Sequence, residues 1–252
     1  MKTISIINLK GGVGKTISAI NIADVLARRG KRELLIDNDK QANTSKFFGV
    51  MDYDKPSLSE VLTHKNFPLP VTPTKYGIDI LPANMTLLRA NKDILLDTGW
   101  MQQNRLKKAL QTIAGRYDFV VIDNAPDINM CTINALVASD DVLIPVKVDK
   151  FALDGLEELS DQIEDVREWN PDIRIAGGFL TMYENNKVNN EGNHIMQAGE
   201  LKIPFFYTVI RKCTAVDQST FYGLPLNAWR KPCKAAQDYA TLTMEYLDGA
   251  NN

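Results

Sequence analysis

Residues 9–16, Leu9-Lys10-Gly11-Gly12-Val13-Gly14-Lys15-Thr16, place three glycines, two lysines and a hydroxyl directly behind a short apolar run at 4–8. Glycines let a chain turn tightly enough to aim successive backbone N–H groups at one point. A helix opening at Lys15 adds its positive dipole end there. Such a corner binds phosphate: Lys15 supplies a full charge for β- and γ-phosphates, and the Thr16 hydroxyl can ligand Mg2+. The strict pattern wants glycine where this chain has Leu9; Lys10 followed by Gly11-Gly12 stands instead. Two acidic elements accompany the corner. Leu34-Leu35-Ile36 runs into Asp37-Asn38-Asp39, and Phe119-Val120-Val121-Ile122 runs into Asp123. Carboxylates at strand ends beside a phosphate loop hold Mg2+ or its water and position an attacking water.

These side chains need strands that end at one edge. Near-continuous apolar runs predict strands at 4–8, 33–38, 78–81, 119–123, 142–146, 175–181 and 205–210. Runs of this kind are covered on both faces. Amphipathic stretches predict helices at 15–29, 104–114, 132–138, 153–169, 191–201 and 234–247, with a short one near 57–63. Strand–helix alternation predicts an α/β fold, a doubly wound and mostly parallel sheet of seven or eight strands whose strand ends face the ligand crevice. The proline-rich stretch 52–82 reads as an irregular connection, 185–193 as a polar loop, and 248–252 as a frayed tail. No composition shift divides the chain, so residues 1–252 are expected to form a single P-loop domain.

Composition narrows the function classes. The chain has 252 residues, 44% hydrophobic, enough for a full core without staples. Its 29 basic and 31 acidic residues give a net charge of −2, so any nucleic-acid surface must be a local patch. Cys131, Cys213 and Cys233 are widely spaced, with only two histidines beside them. They predict buried small residues rather than a disulfide framework or a Cys/His metal site. No signal-peptide pattern and no apolar run of about 20 residues is present, which points to a cytoplasmic protein.

With the three elements in place, the chain resembles the ParA/Soj family of partition ATPases, within the wider group that includes MinD and nitrogenase iron protein. Lys10-Gly11-Gly12-Val13-Gly14-Lys15-Thr16 is similar to the family's deviant Walker A motif with its signature lysine. The segment from Leu34 to Asn43 is similar to LLIDxDPQxN, and that from Tyr117 to Pro126 to YDxxxIDxPP. The stretches 132–146 and 151–156 resemble the Soj branch.

The resemblance implies an ATPase that uses ATP and Mg2+ and forms a homodimer with two ATP molecules sandwiched between subunits. By that analogy Lys10 reaches the partner's nucleotide, Lys15 holds phosphates and Asp39 orients the attacking water. Thr16 and Asp123 serve Mg2+, with Asp37 as the nearby acidic partner. Gly11, Gly12, Val13, Gly14 and Ile17 line the nucleotide. Charge supplied in trans neutralises developing phosphate charge only when the sandwich closes. Hydrolysis is then slow until a partner, a ParB-like adaptor, completes the site.

The chain departs from the family pattern at several positions. Ile17 replaces a second threonine, removing a hydroxyl from the α-phosphate, and Lys40 and Ala125 stand where prolines are usual. The segment 206–212 resembles the base-flanking TVIPRN stretch, with Arg211 in place of its Pro and Cys213 of its Asn.

The resemblance further implies nonspecific double-stranded DNA as a matrix, hence nucleoid association. Arg211, Lys212, Arg230, Lys231 and Lys234 are the candidate patch, while Ala215 stands where relatives commonly carry a basic residue. The chain is expected to be of the short type, without a helix-turn-helix segment before the first strand, and to depend on a separate DNA-binding partner. The last helix, with two acidic and no basic residues over 240–248, does not suit a membrane surface. The cysteines do not fit an iron–sulfur role. The alternative is a relative that positions another cargo or a conjugation apparatus with the same switch.

Overall fold

A computed structural model describes residues 1–149, 152–199, 201–229 and 233–250. The strands are β1 (Lys2–Ile6), β2 (Glu33–Asn38), β3 (Thr72–Pro73), β4 (Ile78–Leu81), β5 (Phe119–Asn124), β6 (Asp141–Val146) and β7 (Arg174–Leu180). They form one sheet in the order β3-β4-β2-β5-β1-β6-β7. Every pairing is parallel except β3 with β4. The fold is therefore α/β, a doubly wound and mostly parallel sheet of the P-loop type.

The period-2 alternation of strand side chains divides the core between two faces. Leu35, Val121, Ile4 and Ile6 point to one side, against α1 (Lys15–Arg28) and α11 (Lys234–Ala250). Leu34, Ile36, Val120 and Ile122 point to the other, against α3 (Leu58–Thr63), α4 (Leu87–Leu96), α5 (Arg105–Gln111) and α6 (Met130–Val137). Further along that face, Val142, Ile144 and Val146 meet α7 (Ala152–Val166) and α8 (Lys187–Gln197). Three more helices, α2 (Asn43–Phe47), α9 (Thr214–Tyr222) and α10 (Leu226–Trp229), border the site end.

Four expectations are corrected. Segment 205–210 is no strand; only Phe205 and Arg211 make isolated bridges, to Gly178 and Tyr183. The N–H groups of Tyr207 and Thr208 donate to the Glu245 carboxylate on α11 at 2.6 and 3.0 Å, which removes them from a ladder. The seventh strand is instead β3, short and on the edge, where Pro73 is tolerated because no neighbour needs its missing N–H. The polar run 185–193 is mostly helix: Asn186 caps α8 by accepting from the Asn189 N–H. The tail is helical over 248–250, and 251–252 lie outside the described residues.

Candidate nucleotide site

The register sets the site. Ile6, Asp123 and Asp37 are neighbours across β1, β5 and β2, and Asn38 pairs with Asn124 one step further on. The C-terminal ends of the three central strands thus converge where the 9–16 loop leaves β1. Gly12 (φ 72°) and Gly14 (φ 89°) are left-handed, a conformation that side chains resist. Gly14 is the N-cap of α1, whose first turn carries no side-chain cap and no acidic residue. The helix-end N–H groups therefore keep their positive end for a ligand. A Cβ added at Gly11 or Gly12 would meet nothing within 4 Å, so the loop borders open space.

The loop is pinned from both sides. Asn8 donates to the Pro145 carbonyl at 2.9 Å and accepts from the Lys10 N–H at 2.9 Å. Thr181, at the end of β7, donates its hydroxyl to the Val13 carbonyl at 2.8 Å. Lys15 is buried, with its ammonium on the Lys10 carbonyl at 2.7 Å. Burial lowers its pKa, with Asp123, Asp39 and Asp127 pulling the other way. Lys10 is tied within its own chain: its ammonium lies 2.5 Å from Asp149.

The three carboxylates differ in what they hold. Asp37 is fully buried and accepts the Ser45 N–H and hydroxyl at 2.8 and 2.7 Å and the Asp39 N–H at 3.2 Å. Asp123 accepts the Thr44 hydroxyl at 2.8 Å through Oδ2, while its buried Oδ1 has no hydrogen-bond partner. Burial pushes Asp123 up to about 7, with the Asp37 charge adding and the Thr44 and Thr16 hydroxyls opposing. Burial likewise raises Asp37 to about 6. Side by side across β2 and β5, two buried carboxyls disfavour carrying both charges without a cation beside them. Asp39 lies half-buried and accepts the Gln41 N–H at 2.8 Å. The turn after it ends at Ala42, left-handed at φ 53° and buried, a strained position next to the site.

The buried orphan oxygen of Asp123, the open glycine cradle and the bare helix start fit a phosphate–Mg2+ group. Thr16 and Asp123 would hold the metal, and Lys15 with the loop N–H groups would hold the phosphates. Beside Ile17 two cavities open. One of about 170 Å³ is bordered by Gly14, Arg211, Cys213 and Tyr239, where the base-flanking resemblance pointed. A larger one of about 940 Å³ is bordered by Thr16, Phe47, Tyr76 and Phe221. Arg211 is committed to Asp238 on α11, through its guanidinium at 2.6–3.1 Å and its backbone N–H at 2.9 Å. Lys212 pairs with Glu184 at 3.2 Å, and Lys234 is exposed. Arg230 and Lys231 lie outside the described residues.

Asn8, Thr44, Ser45, Asp149 and Thr181 were missed as site residues. Thr44-Ser45 follow the Asp39 turn directly, so their hydroxyls carried a signal. Thr181 and Asp149 meet the loop only through the fold.

A parallel sheet whose central strand feeds a glycine loop and a helix, with acidic strand ends alongside, defines a P-loop nucleoside triphosphatase. An AAA domain family model, AAA_31, matches residues 1–175. The sporulation initiation inhibitor protein Soj of Bacillus subtilis is 33% identical over 252 residues, covering 97% of each chain. The chromosome partitioning protein ParA of Caulobacter vibrioides is 34% identical over 260 residues, 98% of this chain and 94% of that one. The chain belongs to the ParA/Soj family of P-loop ATPases. A solved structure of cobyrinic acid a,c-diamide synthase from Mycobacterium smegmatis, with bound ATP analog and magnesium, superposes with a TM-score of 0.85 at 27% identity, over 100% of this chain and 96% of that one. Among the described residues no helix is long and apolar enough to cross a membrane.

Proposed function

We propose that the chain is a partition ATPase: it binds Mg·ATP at the 9–16 loop, dimerises around two nucleotides, rides nonspecific DNA, and hydrolyses slowly until a ParB-like adaptor stimulates it. The observation that carries this reading is the buried, unpartnered Oδ1 of Asp123 at the strand ends where the 9–16 loop leaves β1, with Lys15 and Asp39 near enough to act through their charges. Magnesium, when bound, screens the phosphate oxygens and lets charge develop on the bridging oxygen. Lys15 and the loop N–H groups hold the phosphates in place. Asp37 keeps the Asp39 turn in position, and Asp39 holds the water for in-line attack. Lys10 completes the charge set from the partner subunit, which requires it to leave Asp149. Thr181 and Asn8 keep the loop from relaxing.

The DNA part of the reading rests on the cations of the C-terminal half. Arg211 is held by Asp238, so Lys212 and Lys234 are the better probes. Duplex DNA of mixed sequence is titrated at low salt with Mg·ATP, Mg·ADP and no nucleotide. Binding only with ATP, weakened and with a shallower salt slope in a Lys212→Ala/Lys234→Ala variant, supports the reading. Absence of binding in every state contradicts it and favours the cargo-positioning alternative, in which an adaptor rather than DNA is the track.

A further inference from the structure

Two of the three cysteines meet. Cys213 and Cys233 are 20 positions apart, yet their sulfurs lie 3.8 Å from one another. Cys213 is the N-cap of α9, half-buried, with no capping hydrogen bond from its side chain, and it borders the 170 Å³ cavity beside Gly14 and Ile17. Cys233 is buried at the foot of α11. A disulfide needs the sulfurs at about 2.05 Å, a closure of under about 2 Å from their present positions.

We propose that Cys213, in the wall of the base-side cavity, and Cys233, adjoining it, form a reversible dithiol–disulfide pair, oxidised by a hydroperoxide and coupled to nucleotide occupancy. The pairing stands on the thiol geometry alone; the coupling rests on the nucleotide reading above. Cys213 attacks first because it is the more exposed of the two thiols, within reach of a peroxide from the cavity. Its sulfur bonds to one peroxide oxygen, the O–O bond breaks, and the other oxygen leaves as the alcohol, or as water from hydrogen peroxide, after taking a proton. The Cys233 sulfur then attacks the sulfenic sulfur; the S–S bond forms, the S–O bond breaks, and water leaves. Two thiols and one hydroperoxide thus give one disulfide, one alcohol and one water, with two electrons passing to the peroxide. An external dithiol reverses the step by exchange. Burial raises the Cys233 thiol, in keeping with its place as the second attacker.

The cavity wall gives the coupling. Arg211 and its backbone are clamped to Asp238, and Tyr239 borders the cavity while bonding Ser18 on α1 at 3.0 Å. The wall therefore already joins 211–214 to α11 and α1, and the bridge would draw the Cys213 sulfur toward Cys233. A base in the cavity would cover Cys213 and hold it in the wall. Occupancy then opposes the bridge, and linkage requires the bridge to oppose occupancy equally. Cys131 is the internal control: it is buried, and burial holds its thiol up to about 12.

The test uses the full-length reduced protein treated with hydrogen peroxide, with and without saturating Mg·ADP, followed by intact mass and peptide mapping. The expected result is loss of two hydrogens mapped to Cys213 and Cys233, with Cys131 still reduced and with reversal by dithiothreitol. Cys131→Ser bridges like the wild type, whereas Cys213→Ser and Cys233→Ser do not. Mg·ADP slows bridging at least about fivefold, and the bridged form binds Mg·ADP at least about threefold more weakly. Separate over-oxidation of Cys213 without a bridge overturns the pairing, whether or not the chain binds nucleotide. A bridge that forms at the same rate with and without nucleotide, and leaves affinity unchanged, overturns the coupling.

Discussion

At the scale of single residues, burial decides which carboxyls act as charges. Glu33, at the start of β2, is buried with both oxygens unpartnered, and burial, reinforced by the Asp118 charge, raises its pKa well above 4.5. The folded chain keeps it protonated to higher pH than the unfolded chain does. The folded state therefore holds the extra proton, and stability is full below pH 4.5 and falls as pH rises toward the folded value, by about 1.4 kcal/mol for each pH unit in between. Glu33→Gln removes this loss. Denaturant titrations from pH 5 to 8 should show the variant gaining on the wild type as pH rises, and a gap that does not change with pH contradicts the assignment. The candidate site was legible at this scale because Gly12, Gly14, Lys15 and Thr16 carry their chemistry in adjacent positions, and because Asp37, Asp39 and Asp123 close apolar runs. Glu33 was hidden inside its run, since nothing in a sequence separates a strand-edge glutamate facing water from one facing a core.

At the scale of elements, the 9–16 loop is set by its neighbours as much as by its glycines. Lys10 is held by Asp149 beyond the end of β6, with side-chain exposures of 26% and 45%. A pair this exposed is worth about 1 kcal/mol at most. If Lys10 must swing to a partner subunit, that contact holds the chain back by at most about fivefold. Asp149→Asn should lower the protein concentration needed for half-maximal ATP-dependent dimerisation about two- to fivefold, read by sedimentation. An unchanged midpoint contradicts the latch. Six of the seven expected strands were legible from continuous Val, Ile and Leu runs. The stretch 205–210, FFYTVI, is rich in strand-favouring aromatic and β-branched residues, but Glu245, some forty positions away, captures two of its N–H groups. The β3 strand was hidden by its proline, and the first turn of α8 by asparagines that read as loop although Asn186 is a cap; the helix expected at 191–201 begins earlier, at Lys187.

At the scale of the molecule, the sheet order puts β1 between β5 and β6, so the 9–16 loop, the acidic strand ends and the segment after β7 that borders the smaller cavity share one edge. That edge brings together a charged cradle, a lysine tied to Asp149, and a cavity wall whose Cys213 thiol adjoins that of Cys233. The doubly wound class was legible from strand–helix alternation, whereas the meeting of Cys213 with Cys233 belongs to the packing of α9 against the start of α11. The central claim is a dimer that exists only with ATP. Light scattering of the wild type, Asp39→Ala and Lys10→Ala with Mg·ATP and with Mg·ADP tests it most directly. The account predicts twice the chain mass for the wild type with Mg·ATP only, a dimer that persists in Asp39→Ala because hydrolysis is blocked, and a monomer in Lys10→Ala that still binds nucleotide. Equal mass for the wild type and Lys10→Ala in both nucleotides would contradict it.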